Sequence, residues 1–344
     1  MMRRSRFAAS VAAATLCLGL VAACGGDDKD TQVVKFGTAG IQGTAVLAAH
    51  LTTLGQGYYD EVENEFGVEI QFTDIDPSAA IQMLDSGSVD VLSTAMDTYA
   101  LARVKGFDFQ TLVEGWEKPN IALVALKKYE KDRGDDLAAF KDASWGYPAP
   151  GSSPEAVSNL AATRAGLDWE SVEKIAYGQL TAGVAALEGG RIDIIAIDVG
   201  NAGKMVANGT GYVVYNSNVG TEIVGGGPSA KASWIKENPK VAQALVDAYL
   251  KGMNDLQKVV DDPEKVLALF PKNYQDLMRS GFAESWVIAR PAQRTDGRFD
   301  ESQVKETIDY LTTYGSVDKK DAALLEGIWD NSLVDTSTVR VEVS

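Results

Sequence analysis

Cysteine and histidine are almost absent from this chain, which has two of the first and one of the second in 344 residues. Zinc, copper and haem centres draw their ligands from those two residue types, so the chain lacks the supply for such a metal centre. Both cysteines, Cys17 and Cys24, lie close to the N-terminus, and the body beyond them has neither a disulfide nor thiol chemistry. The single histidine, His50, is expected on a surface helix away from any suitable serine, so no Ser/His/Asp set can be assembled. No Gly-x-Ser-x-Gly elbow occurs, and the glycine loop at Gly151 lacks the Gly-Lys-Ser/Thr ending of a phosphate-binding P-loop. Positive charge is also short, with 32 Lys and Arg against 48 Asp and Glu and a formal net charge of −16. So acidic a body repels nucleic acid and anionic lipid, and its charges are scattered along helices and loops in the manner of solvated faces. No cofactor is expected.

What is present begins with an address. Arg3, Arg4 and Arg6 form a basic start, Phe7 to Leu20 an apolar stretch, and Val21-Ala22-Ala23 a small-residue approach to Cys24. The apolar stretch is too short to span a bilayer comfortably, and no later stretch reaches the needed length. Residues 1–23 therefore read as a signal peptide. Leu20-Val21-Ala22-Ala23-Cys24 resembles a bacterial lipobox, which implies lipidation of Cys24 as the first residue of an exported, membrane-anchored protein. Residues 24–32, rich in Gly and Asp, read as a flexible tether.

From Val33 the chain alternates strands and helices. Strands are predicted over residues 33–38, 68–73, 89–92 and 109–113, with helices over 46–54, 76–84 and 97–105 between them. This alternation predicts a parallel sheet covered on both faces. A second cycle follows, with strands over 120–126, 145–147, 172–176, 191–198 and 212–215 and helices over 154–165, 181–188 and 202–207. Gly225-Gly226-Gly227-Pro228 breaks that cycle, and the long helix from Pro239 carries Val241, Leu245, Ala248, Gly252 and Leu256 on one face. The two cycles echo each other: Asp85-Ser-Gly-Ser-Val-Asp90-Val-Leu in the first matches Glu188-Gly-Gly-Arg-Ile-Asp193-Ile-Ile in the second. Both read as a helix end, a glycine turn and a buried strand, which implies two similar α/β lobes, one inserted in the other.

The stretch Ser144 to Val157 draws these elements together. A short strand enters a Pro/Gly loop, and a helix opens at Ser152 or Ser153 with Pro154 in its first turn and Glu155 near its positive end. Unpaired N–H groups at such a terminus, with the backbone of Gly151 and the two serine hydroxyls, make a cradle for an anionic oxygen.

With those residues in hand the chain resembles the substrate-binding proteins of ABC importers, in the nitrate/sulfonate/taurine group. The resemblance is carried by Gly57-Tyr-Tyr-Asp-Glu, the segment from Asp85 to Ala95, Gly146-Tyr-Pro-Ala-Pro-Gly-Ser-Ser, Ala165-Gly-Leu-Asp-Trp-Glu-Ser-Val and Ala182 to Asp193, in the right order. It implies a type 2 periplasmic-binding-protein clamp: an α/β molecule of two lobes with parallel or mixed sheets flanked by helices. Residues 33–120 and 224–344 would build a discontinuous first lobe and residues 121–223 the second, hinged near Ile121 and Val224. It further implies a monomer that closes on a small ligand and presents it to a permease, and through that to an ATPase, with no catalytic residue.

In open α/β sheets ligands sit beyond the carboxyl ends of the strands. Those ends nominate Gly40, Ile41 and Gln42 after the first strand, Ser93, Thr94 and Asp97 after the third, Tyr147, Gly151, Ser152 and Ser153 in the second lobe, and Asp198 with Asn201 after its last buried strand. Trp116 joins Tyr147 and Tyr99 as a candidate stacking wall. Relatives carry a Trp-Glu-Pro-like tripeptide where this chain has Asp198-Val199-Gly200. If Asp97 and Asp198 face the cleft, a purely anionic ligand is repelled, which favours a hydroxylated, amino-bearing or zwitterionic ligand with one anionic end at Ser152 and Ser153. The other reading makes Asp97 a helix cap and points Asp198 to solvent. A lipid-anchored sensor or adhesin on the same clamp is the alternative function, and a pyrimidine-synthase-like enzyme a weaker one.

Overall fold

The computed structural model describes residues 31–39, 45–76, 79–293, 295–315 and 317–343; Cys24, with the leader, and Gly40, Ile41 and Gln42 lie outside them. Residues Gln32–Ser344 cluster as one unit. Ten strands follow the chain: β1 (Gln32–Ala39), β2 (Val68–Ile75), β3 (Val91–Ala95), β4 (Gln110–Thr111), β5 (Ile121–Leu126), β6 (Ser144–Tyr147), β7 (Glu173–Ala176), β8 (Ile194–Asp198), β9 (Gly211–Asn216) and β10 (Gly226–Ala230). They form two five-stranded sheets, one in the order β2-β1-β3-β10-β4 and the other β7-β6-β8-β5-β9. Helices flank both, so the molecule is an α/β clamp of two lobes.

The sheets are mixed and not the parallel ones that strand–helix alternation predicts. One strand in each runs against its neighbours: β10 is antiparallel to β3 and β4, and β5 to β8 and β9. The cause is connectivity. The other strands end at the edge facing the opposite lobe, whereas β5 and β10 are the first strands after a lobe crossing and start from that edge.

Gly225-Gly226-Gly227-Pro228, predicted to interrupt the pattern, supplies most of β10. Side chains would not fit there: a Cβ on Gly227 would lie 2.3 Å from the Val113 carbonyl oxygen, and one on Gly226 2.4 Å from that of Thr94. Glycine is therefore the residue that lets a central strand lie against two crossing backbones, and its low strand propensity is overridden by that packing.

The sequence echo has a structural counterpart. In the first lobe the Lys35 N–H donates to Asp90 Oδ2 at 2.8 Å, and the Asp90 N–H donates to the Lys35 carbonyl at 2.8 Å. In the second the Ser144 N–H donates to Asp193 Oδ2 at 3.0 Å, and the Asp193 N–H to the Ser144 carbonyl at 2.9 Å. Lys35 lies on β1 and Ser144 on β6, which hold the same place in the two sheet orders. Each aspartate thus clamps its incoming strand to the neighbour at the same register.

Behind the first sheet, helix Pro239–Gln257 crosses helix Ala48–Gly55 closely enough that a Cβ on Gly252 would stand 2.1 Å from Thr53 Oγ1. His50 is on the inner face of that contact, 1% exposed, and not on a surface helix. Its Nδ1 lies 3.0 Å from the Tyr59 hydroxyl, and Phe36 and Phe72 pack around the ring, so it serves as a core aromatic.

The C-terminal region, expected to belong wholly to the first lobe, also reaches the second. Helix Phe282–Ala289 seats Ser285 against Gly203 of helix Val199–Ala207, with Ser285 Oγ donating to the Gly200 carbonyl at 3.1 Å. Helix Glu301–Thr313 returns to bracket both crossings: Gln303 Nε2 donates to the Glu117 carbonyl at 2.9 Å, and Thr307 Oγ1 accepts from the Val224 N–H at 2.8 Å. Among the described residues no helix is long and apolar enough to cross a membrane.

Candidate functional site

Between the lobes lies a cavity of about 750 Å³. The first lobe contributes Ala39 at the end of β1 and Thr94, Ala95, Met96 and Asp97 where β3 turns into helix Met96–Val104. The crossings contribute Trp116, Asn120, Ile121, Ile223 and Val224, and the second lobe Pro148, Ser153 and Gln179. Helix Glu301–Thr313 closes one side with Thr307, Tyr310 and Leu311. The strand-end rule thus locates the cavity, because the chain polarity of both sheets directs their strand ends to it.

Four nominated residues meet here: Thr94, Asp97, Trp116 and Ser153. Asp97 sits in the first helical turn, half-buried, with Oδ1 accepting the Thr98 N–H at 2.8 Å. Trp116 is 3% exposed, laid across the glycine shelf so that a Cβ on Gly225 would be 2.3 Å from its Cδ1. Among the described residues its indole N–H has no hydrogen-bond partner, and neither does the Asn120 Oδ1. The Tyr310 hydroxyl lies beside Ser153, and burial pushes its phenol far above the ordinary range, with the Asp97 charge acting the same way.

The other nominated residues take different places. Ser93 is fully buried in β3, because alternation along the strand sends it to the face opposite Thr94. Tyr147 is a core ring, 6.2 Å from Trp169, and burial with Glu155 nearby pushes its hydroxyl up to about 12. Asp198 turns away from the cavity to cap helix Val199–Ala207, with Oδ1 accepting the Asn201 N–H at 3.0 Å and Oδ2 the Asn201 side-chain amide at 2.6 Å. Both residues are used up in that cap. Tyr99 is also core, its hydroxyl donating to the Leu92 carbonyl at 2.5 Å.

The helix mouth at Ser152 is not the open anion cradle that its sequence suggests. Glu155 folds back so that its Oε2 accepts the Gly151 N–H at 2.5 Å, placing the chain's own carboxylate at the positive end of the dipole. Gly151 and Ser152 instead line a side pocket of about 20 Å³, covered by Tyr310, Leu311, Gly315 and Val317. That pocket is too small for an organic anion.

Asn120, Gln179, Thr307 and Tyr310 were not found from sequence. Gln179 carries a readable signal, since it follows β7 and stands just before helix Leu180–Glu188. Tyr310 and Thr307 carry none: an amphipathic helix far along the chain reads as ordinary core. Among the described residues lining the cavity the charged ones are Asp76 and Asp97, and there is no Lys or Arg. The cation of the crossings, Lys118, is held 3.3 Å from both Glu117 and Glu222.

Residues 45–265 match the model of the family described as NMT1/THI5 like. Among solved structures the chain is similar to the periplasmic aliphatic sulphonate binding protein SsuA from Escherichia coli, at 16% identity and a TM-score of 0.67, over 88% of this chain and 99% of that one. It is also similar to the periplasmic nitrate-binding protein NrtA from Synechocystis PCC 6803, at 13% identity and a TM-score of 0.64, over 89% and 88%. The alkanesulfonate-binding protein SsuA from Xanthomonas axonopodis pv. citri, bound to MOPS, aligns at 14% identity and a TM-score of 0.59, over 86% and 95%. At these identities the likeness is one of fold. No curated protein matches the sequence.

Proposed function

The chain belongs to the NMT1/THI5-like family, and from that premise we propose that it is an extracytoplasmic solute-binding protein of an ABC importer, anchored by lipid at Cys24. It captures a small organic ligand between its lobes and hands it to a membrane permease. The observation that supports this most is the cavity itself, whose wall is assembled from both lobes, both crossings and the bracketing helix Glu301–Thr313. A ligand there touches every part that must move for the clamp to open or close. The residues offered to it are hydrogen-bonding and apolar groups, as in a site that holds a molecule without transforming it.

A thermal-shift screen of sulfonates, carboxylates, amino acids, amines and pyrimidines tests the reading. A ligand at ten times its dissociation constant adds about 1.4 kcal/mol to stability. At least one class should raise the melting temperature in a saturable manner, whereas silence across the panel would remove the binding-protein reading. The anchor is tested separately: Cys24→Ala should move the protein from the membrane fraction to the soluble one, and unchanged retention would refute the lipid attachment.

A further inference from the structure

We infer that the cleft is built for an amine-bearing organic cation that also carries a hydrogen-bond acceptor, and not for a simple oxyanion. This inference rests on the binding-protein reading and narrows its ligand. Charge is the first reason. The lining carries two carboxylates, Asp76 and Asp97, and no described Lys or Arg, and Lys118 is committed to Glu117 and Glu222. An anion would approach the Asp97 negative charge in a half-buried setting, where screening is weaker than in water.

The helix mouth is the second reason. The backbone site nominated for an anion, the helix mouth at Ser152, has its Gly151 N–H donated to Glu155 Oε2, at 2.5 Å. An incoming sulfonate would have to displace that carboxylate from a favourable dipole and would still face it nearby. The unpartnered groups are the third. The indole N–H of Trp116, on a side chain 3% exposed, asks for an acceptor, and the Asn120 Oδ1 asks for a donor. Buried groups of this kind are costly when left unmade, so the ligand that fits supplies N–H groups and an acceptor together. Ile121, Val224 and Leu311 leave room for an apolar body, and the Trp116 ring can face a cation. The acidic exterior acts in the same direction by raising the local concentration of cations.

Matched probes isolate the charge. Tyramine, tyrosol and para-hydroxyphenylacetate share one skeleton and differ in headgroup, as do ethanolamine, ethylene glycol and glycolate; methanesulfonate and nitrate complete the set. Affinities are read by calorimetry and by tryptophan fluorescence on the full chain. In at least one skeleton the amine should bind at least about tenfold tighter than the carboxylate. Asp97→Asn, which keeps the shape and the acceptor for Thr98, should weaken the amine about tenfold and leave the alcohol within about threefold. Trp116→Phe should weaken amine and alcohol alike by removing the indole N–H, which shows that the cavity is the site. Tighter binding of a carboxylate, methanesulfonate or nitrate would overturn the cation inference and leave the binding-protein reading standing. Equal loss of amine and alcohol in Asp97→Asn would also overturn it. Silence from every probe would overturn both.

Discussion

Glu114 gives the sharpest stability prediction. It lies beside the first crossing, 1% exposed, with Oε2 accepting from Thr295 Oγ1 at 2.7 Å and Oε1 without a partner among the described residues. Burial pushes its carboxyl from 4.5 up to about 8; Glu117 and Asp296 push the same way, and the Thr295 hydroxyl and Lys118 oppose. The folded protein therefore keeps this proton to about pH 8, while the unfolded chain releases it near 4.5. Across that window the folded state binds more protons, so the contribution of Glu114 is fully present below 4.5 and falls as pH rises to about 8. At about 1.4 kcal/mol for each pH unit the whole loss has a ceiling of about 5 kcal/mol. Glu114→Gln keeps an acceptor for Thr295 and removes the charge. Urea unfolding of both proteins between about pH 5 and about pH 8 should show the variant gaining on the parent, by about 3 kcal/mol near neutrality. Parallel pH profiles would show that Glu114 is hydrated or paired, and the reasoning would fail.

The other predictions concern the core and the crossings. His50 behaves with the opposite sign: burial lowers it from 6.5 to about 3, so its contribution is present above 6.5 and lost as pH falls towards 3. His50→Phe should flatten the acid limb of the stability curve, and an unchanged limb in guanidinium unfolding would contradict the burial. Gly225→Ala would place a Cβ 2.2 Å from the Lys118 carbonyl oxygen, and should cost more than about 2 kcal/mol and weaken ligand binding. A melting temperature equal to the parent's would show that the crossings can part freely. Asp90→Ala and Asp193→Ala should each cost about 1–3 kcal/mol by leaving a strand N–H unmet, with Asp193→Ala the costlier because its carboxylate also accepts from the Tyr129 and Ser144 hydroxyls. A larger shift of the unfolding midpoint in Asp90→Ala would contradict this.

The parts legible in the sequence are those governed by local rules. Helix–glycine–strand repetition exposed the Asp90 and Asp193 pair, and strand ends led to Thr94, Asp97 and Ser153. Where tertiary packing overrides propensity, local reading fails. Gly225 to Pro228 resembles a break and is a central strand, because only glycine tolerates two crossing backbones at its flanks. Asp198 reads as cleft polarity, yet it is consumed by the helix beside it, and a capping carboxylate cannot be told from a binding one by spacing. Tyr310 is more than two hundred residues from the ends of β1 and β3 and reaches the cavity only through the return of the C-terminal helix.

A crystal structure with the tightest-binding probe bound tests the central claim most directly. The ligand should lie between the lobes, its ammonium towards Asp97, its acceptor on the indole N–H of Trp116 and its donor towards Asn120. A ligand outside this cavity, or an anionic group seated at the Ser152 helix mouth with Glu155 displaced, would contradict it.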